Sequence, residues 1–284
     1  YLVTQYKGFG TVAAILFDIP YPVAVLMVYL FVLYTTFGGY RSVLRTDAFN
    51  LVLLVASLTV LLVLLVGQAG GLFQLYAQAG ELTGSDPENN LLALSNSRYP
   101  LTVSLSMFFS WGLGLAANPQ YMVRVLAARN PRSARWTVIG SILLLAVIYF
   151  ALIHIGLASR VLAPQRPAVS SSDEIIAHLM NNELYSVWSG FFLFAVIGAC
   201  VSTANSQLLL IASSFSYDMV RVLSRRPVSE RRVLTLGRLA VFGGGTVSML
   251  LALDPPAFTL SYGGDVWGAV SVLLFPAAYG TLLS

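Results

Sequence analysis

Long uncharged runs of apolar residues, separated by short charged stretches, dominate the chain. A helix crosses about 30 Å of hydrocarbon with roughly 20 residues, so each run of that length predicts a membrane span. Seven runs qualify, at about 20–39, 50–70, 100–123, 136–159, 184–217, 239–253 and 266–284, and residues 1–17 resemble the end of an eighth helix. The runs lack the alternation of barrel strands, so the pattern predicts an all-α polytopic membrane helix bundle.

The charged loops alternate in sign along the chain. Acids such as Glu81, Asp173 and Asp254 lie in the second, fourth and sixth loops, and arginines gather in the other three. These arginines are Arg41 and Arg45, then Arg124, Arg129, Arg132 and Arg135, then Arg221, Arg225, Arg226, Arg231 and Arg232. Because cytoplasmic loops are enriched in Arg and Lys, we expect the arginine loops in the cytoplasm. The long outer loops, 72–98 and 161–183, are expected to carry short surface helices.

Composition excludes most other classes of protein. Hydrophobic residues make up 57% of the chain and charged residues 10%, with a mean hydropathy of +0.78, whereas soluble domains carry about 25% charged residues. The partner is therefore the lipid bilayer, and the net charge of +4 does not imply nucleic acid. No P-loop, GxGxxG or nucleophile with a base at recognisable spacing occurs, so we do not expect an enzyme. The chain begins and ends inside apolar stretches, and we expect it to be a fragment.

Polar or helix-breaking residues inside apolar spans indicate where function lies. The first such place is 34–40, which contains the paired glycines Gly38 and Gly39 and is followed by Thr46 and Asp47. These residues suit a simple helix-turn-helix with caps at both helix ends. They equally suit an inner vestibule in which the Asp47 carboxylate attracts a cation.

The second place is 110–120, in the third span. Gly112, Gly114 and Pro119 fall within eight residues and weaken the helical hydrogen-bond ladder. A broken helix at membrane depth is tolerated where it lines a cavity or is buried, and it is a sequence indicator of a transporter binding site. The alternative is a proline kink with close glycine packing.

The third place is the polar face of Ala199, Ser202, Thr203 and Ser206 in the fifth span. Positions i, i+3 and i+4 share one face of a helix, so the Ala199 carbonyl and the two hydroxyls after it converge. Three neutral hard oxygens form half a cage for Na⁺. The alternative is that the hydroxyls bond back to carbonyls one turn earlier.

In this order and at this spacing, the three features resemble the sodium:solute symporter family, whose members move small solutes with Na⁺. The matching positions are Tyr34, Thr35, Gly38, Gly39, Thr46 and Asp47, then Trp111, Gly112, Gly114, Pro119 and Arg124, then Ala199, Ser202, Thr203 and Asp218. The resemblance implies two inverted five-helix repeats in the manner of the leucine transporter. Residues 1–284 would form a single membrane domain, with 1–70 as the end of the first repeat (core helices 3 to 5), 71–98 as an extracellular loop and 99–284 as the second repeat (core helices 6 to 10). The interrupted first helix would be absent, so this chain alone would be unable to transport.

The resemblance also implies roles for individual residues. Ala199, Ser202 and Thr203 match Na⁺ ligands, and Asp47 matches an acid on the Na⁺ exit path. The solute side would comprise Trp111, Gly114, Leu115, Asn118, Ser206 and Trp267. Proline transporters of the family have tyrosine at the position of Leu115, and the motifs are closest to the pantothenate branch.

The function expected from this resemblance is Na⁺-coupled import of a small organic solute, a carboxylate or a pantothenate-like or amino-acid-like compound, by alternating access. One alternative is a transporter-like sensor domain joined to signalling modules. Another is a seven-helix receptor, whose retinal-binding version is disfavoured because Lys7, the only lysine, lies outside the complete spans.

Overall fold

The computed structural model describes residues 1–36, 39–85, 90–97, 99–162, 172–175, 178, 187–224, 228–255 and 259–283. Within these ranges the chain contains helices and turns and no strand. The helices are α1 (Leu2–Phe17), α2 (Tyr21–Thr36), α3 (Gly39–Gln68), α4 (Leu72–Ser85), α5 (Leu101–Ala117), α6 (Pro119–Leu126), α7 (Pro131–Leu162), α8 (Val187–Ser213), α9 (Glu230–Leu253) and α10 (Thr259–Leu283). A 3₁₀ turn covers Ser172–Glu174, and a π-helical segment, Ser214–Val220, continues α8. Gly38, Arg225, Arg226, Ser284 and most of 161–183 lie outside the described residues.

The spans differ in part from those that the sequence predicts. Among the described residues, four helices are long and apolar enough to cross a membrane, or up to six if each of two bent pairs counts as one span. Helix α2 begins at Tyr21, within one residue of the start of the predicted span 20–39, and is described as far as Thr36. The predicted span 266–284 begins earlier, because α10 starts at Thr259. The first long loop carries α4, as expected.

A sharp turn joins α1 to α2, whose axes differ by 118°. Asp18 ends α1 in the left-handed conformation, with φ 50°, which Asp tolerates better than most residues. Pro20 follows two residues later and cannot continue the helix that has just ended. The two helices then pack closely, since a Cβ on Gly10 would lie 2.8 Å from Val25 Cγ2.

The chain divides into two compact units, and the first comprises Tyr1–Leu54 and Ser171–Gly263. Its core is formed by one face each of α1, α2, α8 and α9, with the side chains of Tyr6, Val28 and Leu208 almost fully buried. Side-chain hydrogen bonds also connect α2 to α9. The Tyr21 hydroxyl donates to the carbonyl of Ala252 at 2.7 Å, and the hydroxyls of Tyr29 and Thr246 lie 2.8 Å apart.

An ionic contact joins three elements of the first unit. Lys7 Nζ of α1 lies 2.6 Å from Asp173 Oδ2 of the 3₁₀ turn. The same carboxylate oxygen accepts bonds from the Thr259 hydroxyl at 2.8 Å and the Thr259 N–H at 3.3 Å, at the start of α10. A carboxylate at a helix N-terminus is favourable for the helix dipole. The contact therefore holds the 3₁₀ turn against both α1 and the first turn of α10.

The second unit comprises Val55–Ser170 and Gly264–Ser284. Within it α4 packs on α7, and a polar contact joins Tyr76, which is partly exposed, to the buried His154. His154 Nδ1 lies 2.7 Å from the Phe150 carbonyl, and His154 Nε2 lies 2.9 Å from the Tyr76 hydroxyl. A carbonyl only accepts, so Nδ1 carries a proton, and in the neutral ring Nε2 accepts from Tyr76. His154 therefore connects α7 to α4 through the Tyr76 hydroxyl.

Replacing Tyr76 by phenylalanine should lower the stability of the full-length protein. His154 is 6% exposed, and losing the hydroxyl leaves its Nε2 buried without that bond, at a cost of about 1–3 kcal/mol. Thermal melting in detergent measures this effect. Tyr149→Phe on α7, where the side chain is exposed, is the matched control and should change stability by no more than ~0.5 kcal/mol. Equal melting temperatures for the two variants would contradict this account of the pair.

Candidate functional site

Three oxygens converge in the middle of α8. Ser202 Oγ lies 2.9 Å and Thr203 Oγ1 lies 3.0 Å from the carbonyl oxygen of Ala199, to which both hydroxyls donate. The back-bonding that the sequence allows is therefore present. It does not prevent cation binding, because a hydroxyl that donates its proton keeps both oxygen lone pairs for a metal ion. We call Ala199 O, Ser202 Oγ and Thr203 Oγ1 the oxygen cluster.

The oxygen cluster lies on the less buried face of α8. Ala199, Ser202 and Thr203 are half-buried, whereas Ala204 and Leu208 are fully buried in the core of the first unit. The 3.6-residue period separates these two faces, as the sequence predicts. One side of α8 thus fixes the helix in the core and leaves the cluster accessible on another side.

A buried amide connects α8 to α2 beyond the cluster. Asn205, which is 1% exposed, accepts through Oδ1 from the hydroxyls of Thr35 and Thr36, both at 2.9 Å. Thr35 belongs to the first motif and Asn205 flanks the third, and sequence reasoning did not connect them. The sequence indicated this contact only weakly, because Thr hydroxyls in membrane helices also bond to carbonyls of their own helix, as these two do.

Asn50 lies beside the oxygen cluster, and sequence reasoning missed it. Its side-chain N–H donates to the Gly198 carbonyl at 3.0 Å, which links α3 to the residue before Ala199. Asp47 precedes Asn50 by three residues, so the two share one face of α3. The predicted acid therefore lies one turn from a direct contact between α3 and α8. The sequence did offer one indication of this contact, since Asn50 is a polar residue three positions after an acid, at the start of an apolar run.

The third predicted span is interrupted between α5 and α6, at a bend that suits both interpretations of the sequence. The helix axis bends by 43° between α5 and α6, where Asn118 adopts an extended backbone and Pro119 begins α6. The Asn118 side chain accepts from the Gln120 N–H at 2.9 Å, which caps the new helix. The Tyr279 hydroxyl of α10 donates to the Ala116 carbonyl at 3.0 Å, in the last turn of α5. Side chains therefore satisfy backbone groups on both sides of the break.

Aromatic rings pack beside the break. Trp267 of α10 stacks on Trp111 with ring centroids 5.6 Å apart, and on Tyr121 with centroids 6.1 Å apart. Gly114 permits the close approach, since a Cβ there would lie 2.5 Å from the Trp267 carbonyl oxygen. The Trp267 side chain is 2% exposed. A solute can reach Trp267 only if this stack opens, whereas Leu115 on the same helix is 39% exposed.

The predicted residues therefore fall into two groups. Ala199, Ser202 and Thr203 are in mutual contact in the first unit, which also contains Asp47 and Ser206. Trp111, Gly114, Leu115, Asn118 and Trp267 belong to the second unit. Within the second group, Trp267 contacts both Trp111 and Gly114.

Comparison with solved structures supports the fold. A Na⁺-coupled sialic acid symporter, in a substrate-bound outward-open state, aligns with a TM-score of 0.76 at 20% identity. The alignment covers 96% of this chain and 60% of the symporter chain. The likeness confirms the predicted all-helical, leucine-transporter-like fold class.

Comparison with known sequences identifies the family. The high-affinity proline transporter PutP of Bacillus subtilis (strain 168) is 28% identical over 256 residues, which is 89% of this chain and 51% of that protein. The sodium/proline symporter 2 of Staphylococcus saprophyticus is 28% identical over 274 residues, or 92% of this chain and 50% of that protein. The chain spans about half the length of these relatives. The model of the sodium:solute symporter family matches residues 1–277, and the chain belongs to that family.

Proposed function

We propose that the full-length protein is a Na⁺-coupled symporter that imports a small organic solute by alternating access. The oxygen cluster carries this proposal, because it places two hydroxyl oxygens within 3.0 Å of a backbone carbonyl oxygen on an accessible helix face. Relatives named as sodium/proline symporters and a fold neighbour named as a Na⁺-coupled sialic acid symporter support Na⁺ as the coupling ion. Ala199, Ser202 and Thr203 would be its ligands.

The chemistry of the oxygen cluster suits a coupling ion. Na⁺ is a hard cation that prefers oxygen ligands. Neutral oxygens hold it less tightly than carboxylates would, and a transported ion must bind well enough to enter and weakly enough to leave. A carboxylate can instead attract the ion from a distance, without being one of its ligands. We assign that role to Asp47, whose charge would lower the energy of Na⁺ on its exit path.

The broken helix is the proposed solute side. Trp111, Leu115 and Asn118 lie on or beside the break between α5 and α6, and such interruptions mark the binding sites of transporters. With Gly114 and Trp267 these residues form the proposed solute set in the second unit, and Ser206 of the first unit stays a prediction from the resemblance. The resemblance implies that Leu115 stands where proline transporters of the family have tyrosine, and it favours the pantothenate branch. We therefore infer a small carboxylate of pantothenate-like or amino-acid-like chemistry.

Coupling follows from differential affinity. If Na⁺ binds the outward-open state more tightly than the inward-open state, outer Na⁺ shifts the population toward the state that accepts solute. Release into a low-Na⁺ cytoplasm then reverses the shift. We assign 1–70 to the end of the first repeat, 71–98 to an extracellular loop and 99–284 to the second repeat.

The arginine-rich loops indicate how the chain lies in the bilayer. Arg129, Arg132 and Arg135 are exposed where α6 leads into α7. Trp136 follows and is also exposed, as aromatic residues at membrane interfaces commonly are. We infer that this loop faces the cytoplasm of a bacterial cell, with the protein in the inner membrane.

Uptake into liposomes that contain the full-length protein tests the proposal. Radiolabelled pantothenate, proline, sialic acid and short monocarboxylates are offered with an inward Na⁺ gradient, and choline replaces Na⁺ in the control. We expect one solute class to accumulate only with Na⁺. Equal accumulation in choline for every transported solute would contradict Na⁺ coupling.

A further inference from the structure

The α3–α8 contact places an amide beside the backbone of the proposed Na⁺ site. Asn50, which is 8% exposed, donates to the carbonyl of Gly198 at 3.0 Å. In a helix that carbonyl also accepts from the N–H four residues later. The bond from Asn50 is thus an additional one, and it ties the peptide group preceding Ala199 to a different helix.

Gly198 is shaped for this contact. A Cβ at that position would lie 2.7 Å from Asn50 Oδ1 and 2.8 Å from Asn50 Cγ. Any larger residue would push the amide away, so the absence of a side chain lets Asn50 rest directly on the α8 backbone. This contact therefore sets the distance between α3 and α8 at Gly198, the residue before the oxygen cluster.

The oxygen cluster lies between two amide contacts. Asn50 binds α8 at Gly198, and Asn205 receives the Thr35 and Thr36 hydroxyls seven residues further on. Positions seven residues apart share one helix face, and the oxygen cluster lies about a quarter-turn away from that face. Both contacts are buried. Together they oppose rotation of the intervening segment about its own axis.

We propose that Asn50 is a positioning residue for the Na⁺ site, which fixes the direction of the Ala199 carbonyl by holding the peptide group before it. This inference rests on the proposed function and adds a residue to it. Selectivity between similar cations depends on the size and rigidity of the ligand cage. A segment held at both ends keeps its oxygens at the spacing that suits Na⁺, and a released segment contracts readily around the smaller Li⁺.

The test is Asn50→Leu in the full-length protein, assayed by Na⁺- and Li⁺-driven uptake in liposomes. The near-isosteric leucine removes the donor. We expect the Na⁺ concentration for half-maximal uptake to rise about fivefold, the factor that one neutral hydrogen bond of ~1 kcal/mol represents. The maximal rate should stay within about twofold, and the preference for Na⁺ over Li⁺ should fall. Asn50→Ser should show the same changes, because the short serine hydroxyl cannot reach the Gly198 carbonyl. This second variant replaces Asn50→Leu in the test if the leucine variant fails to fold.

Tyr21→Phe is the matched control. It also removes a side-chain bond to a helix carbonyl in the first unit, so a loss of general stability would affect it equally, yet its Na⁺ dependence and ion preference should be normal. If Asn50→Leu and Asn50→Ser keep the wild-type Na⁺ dependence, or if Tyr21→Phe shifts it as far, the positioning role is wrong. In that case uptake by the wild-type protein still depends on Na⁺. If the proposed function itself is wrong, the result is different: uptake by the wild-type protein does not depend on Na⁺.

Discussion

Replacing Ser202 and Thr203 together by alanine in the full-length protein should raise the Na⁺ concentration for half-maximal uptake by about 100-fold. Each hydroxyl oxygen would be a direct ligand of a charged ion, and such contacts contribute about 1.5–3 kcal/mol each. The loss of two at the lower end amounts to ~3 kcal/mol, which is about two powers of ten in affinity. Uptake measured over a range of outer Na⁺ concentrations gives this value directly.

Ser213→Ala provides the control for that double variant. Ser213 lies on the same helix, and its hydroxyl donates to the Leu210 carbonyl three residues earlier at 3.0 Å, as Ser202 does to Ala199. If the hydroxyls matter only through such back-bonding, the two substitutions should act alike. We expect the Na⁺ dependence of uptake by Ser213→Ala to equal that of the wild-type protein. If the double variant also shows wild-type Na⁺ dependence, Ser202 and Thr203 are not ligands of the ion.

The second large effect is expected at Gly114. An alanine Cβ there would lie 2.5 Å from the Trp267 carbonyl oxygen and 3.1 Å from its ring. The obstructing atom is backbone and cannot rotate away, so α5 and α10 must separate and the stack with Trp111 must loosen. Overpacking of this kind typically costs about 1–3 kcal/mol. The melting temperature in detergent should fall by several degrees, and solute uptake should decline with it.

Gly112→Ala is the matched control for that variant, two residues earlier on the same helix. A Cβ at Gly112 would have no atom within 4 Å among the described residues. Alanine there gains helix propensity of about 0.5–1 kcal/mol. We expect equal or higher stability for Gly112→Ala, and equal destabilisation of both variants would show that contact with Trp267 is not the cause.

Local chemistry made some features predictable from sequence. Pro119 after Asn118 predicts a helix break, because proline lacks the N–H of a helix interior and suits the first turn of a new helix. The convergence of Ser202 and Thr203 on Ala199 follows from helical periodicity alone. Both features depend on residues within one turn of each other, and the structure contains both.

Features that depend on the register between helices could not be predicted in this way. The bond from Asn50 to Gly198 joins residues 148 positions apart, and nothing in either local pattern specifies the other. The burial of Trp267 could not be predicted either, since an aromatic side chain suits an accessible solute site equally well.

Family membership bears on the competing functions. The seven-helix receptor rested on span count and orientation alone, whereas the match to the sodium:solute symporter family covers residues 1–277. A sensor built on a transporter domain would share this fold and this family. Accumulation of solute against its gradient separates the two, because a sensor binds its ligand without concentrating it.

Equilibrium binding of radioactive Na⁺ to the purified full-length protein tests the central claim most directly. We predict saturable binding in the wild-type protein and in Ser213→Ala, and binding weakened by about 100-fold when Ser202 and Thr203 are both alanine. Saturable binding of undiminished affinity in that double variant would show that the oxygens of α8 do not hold the ion.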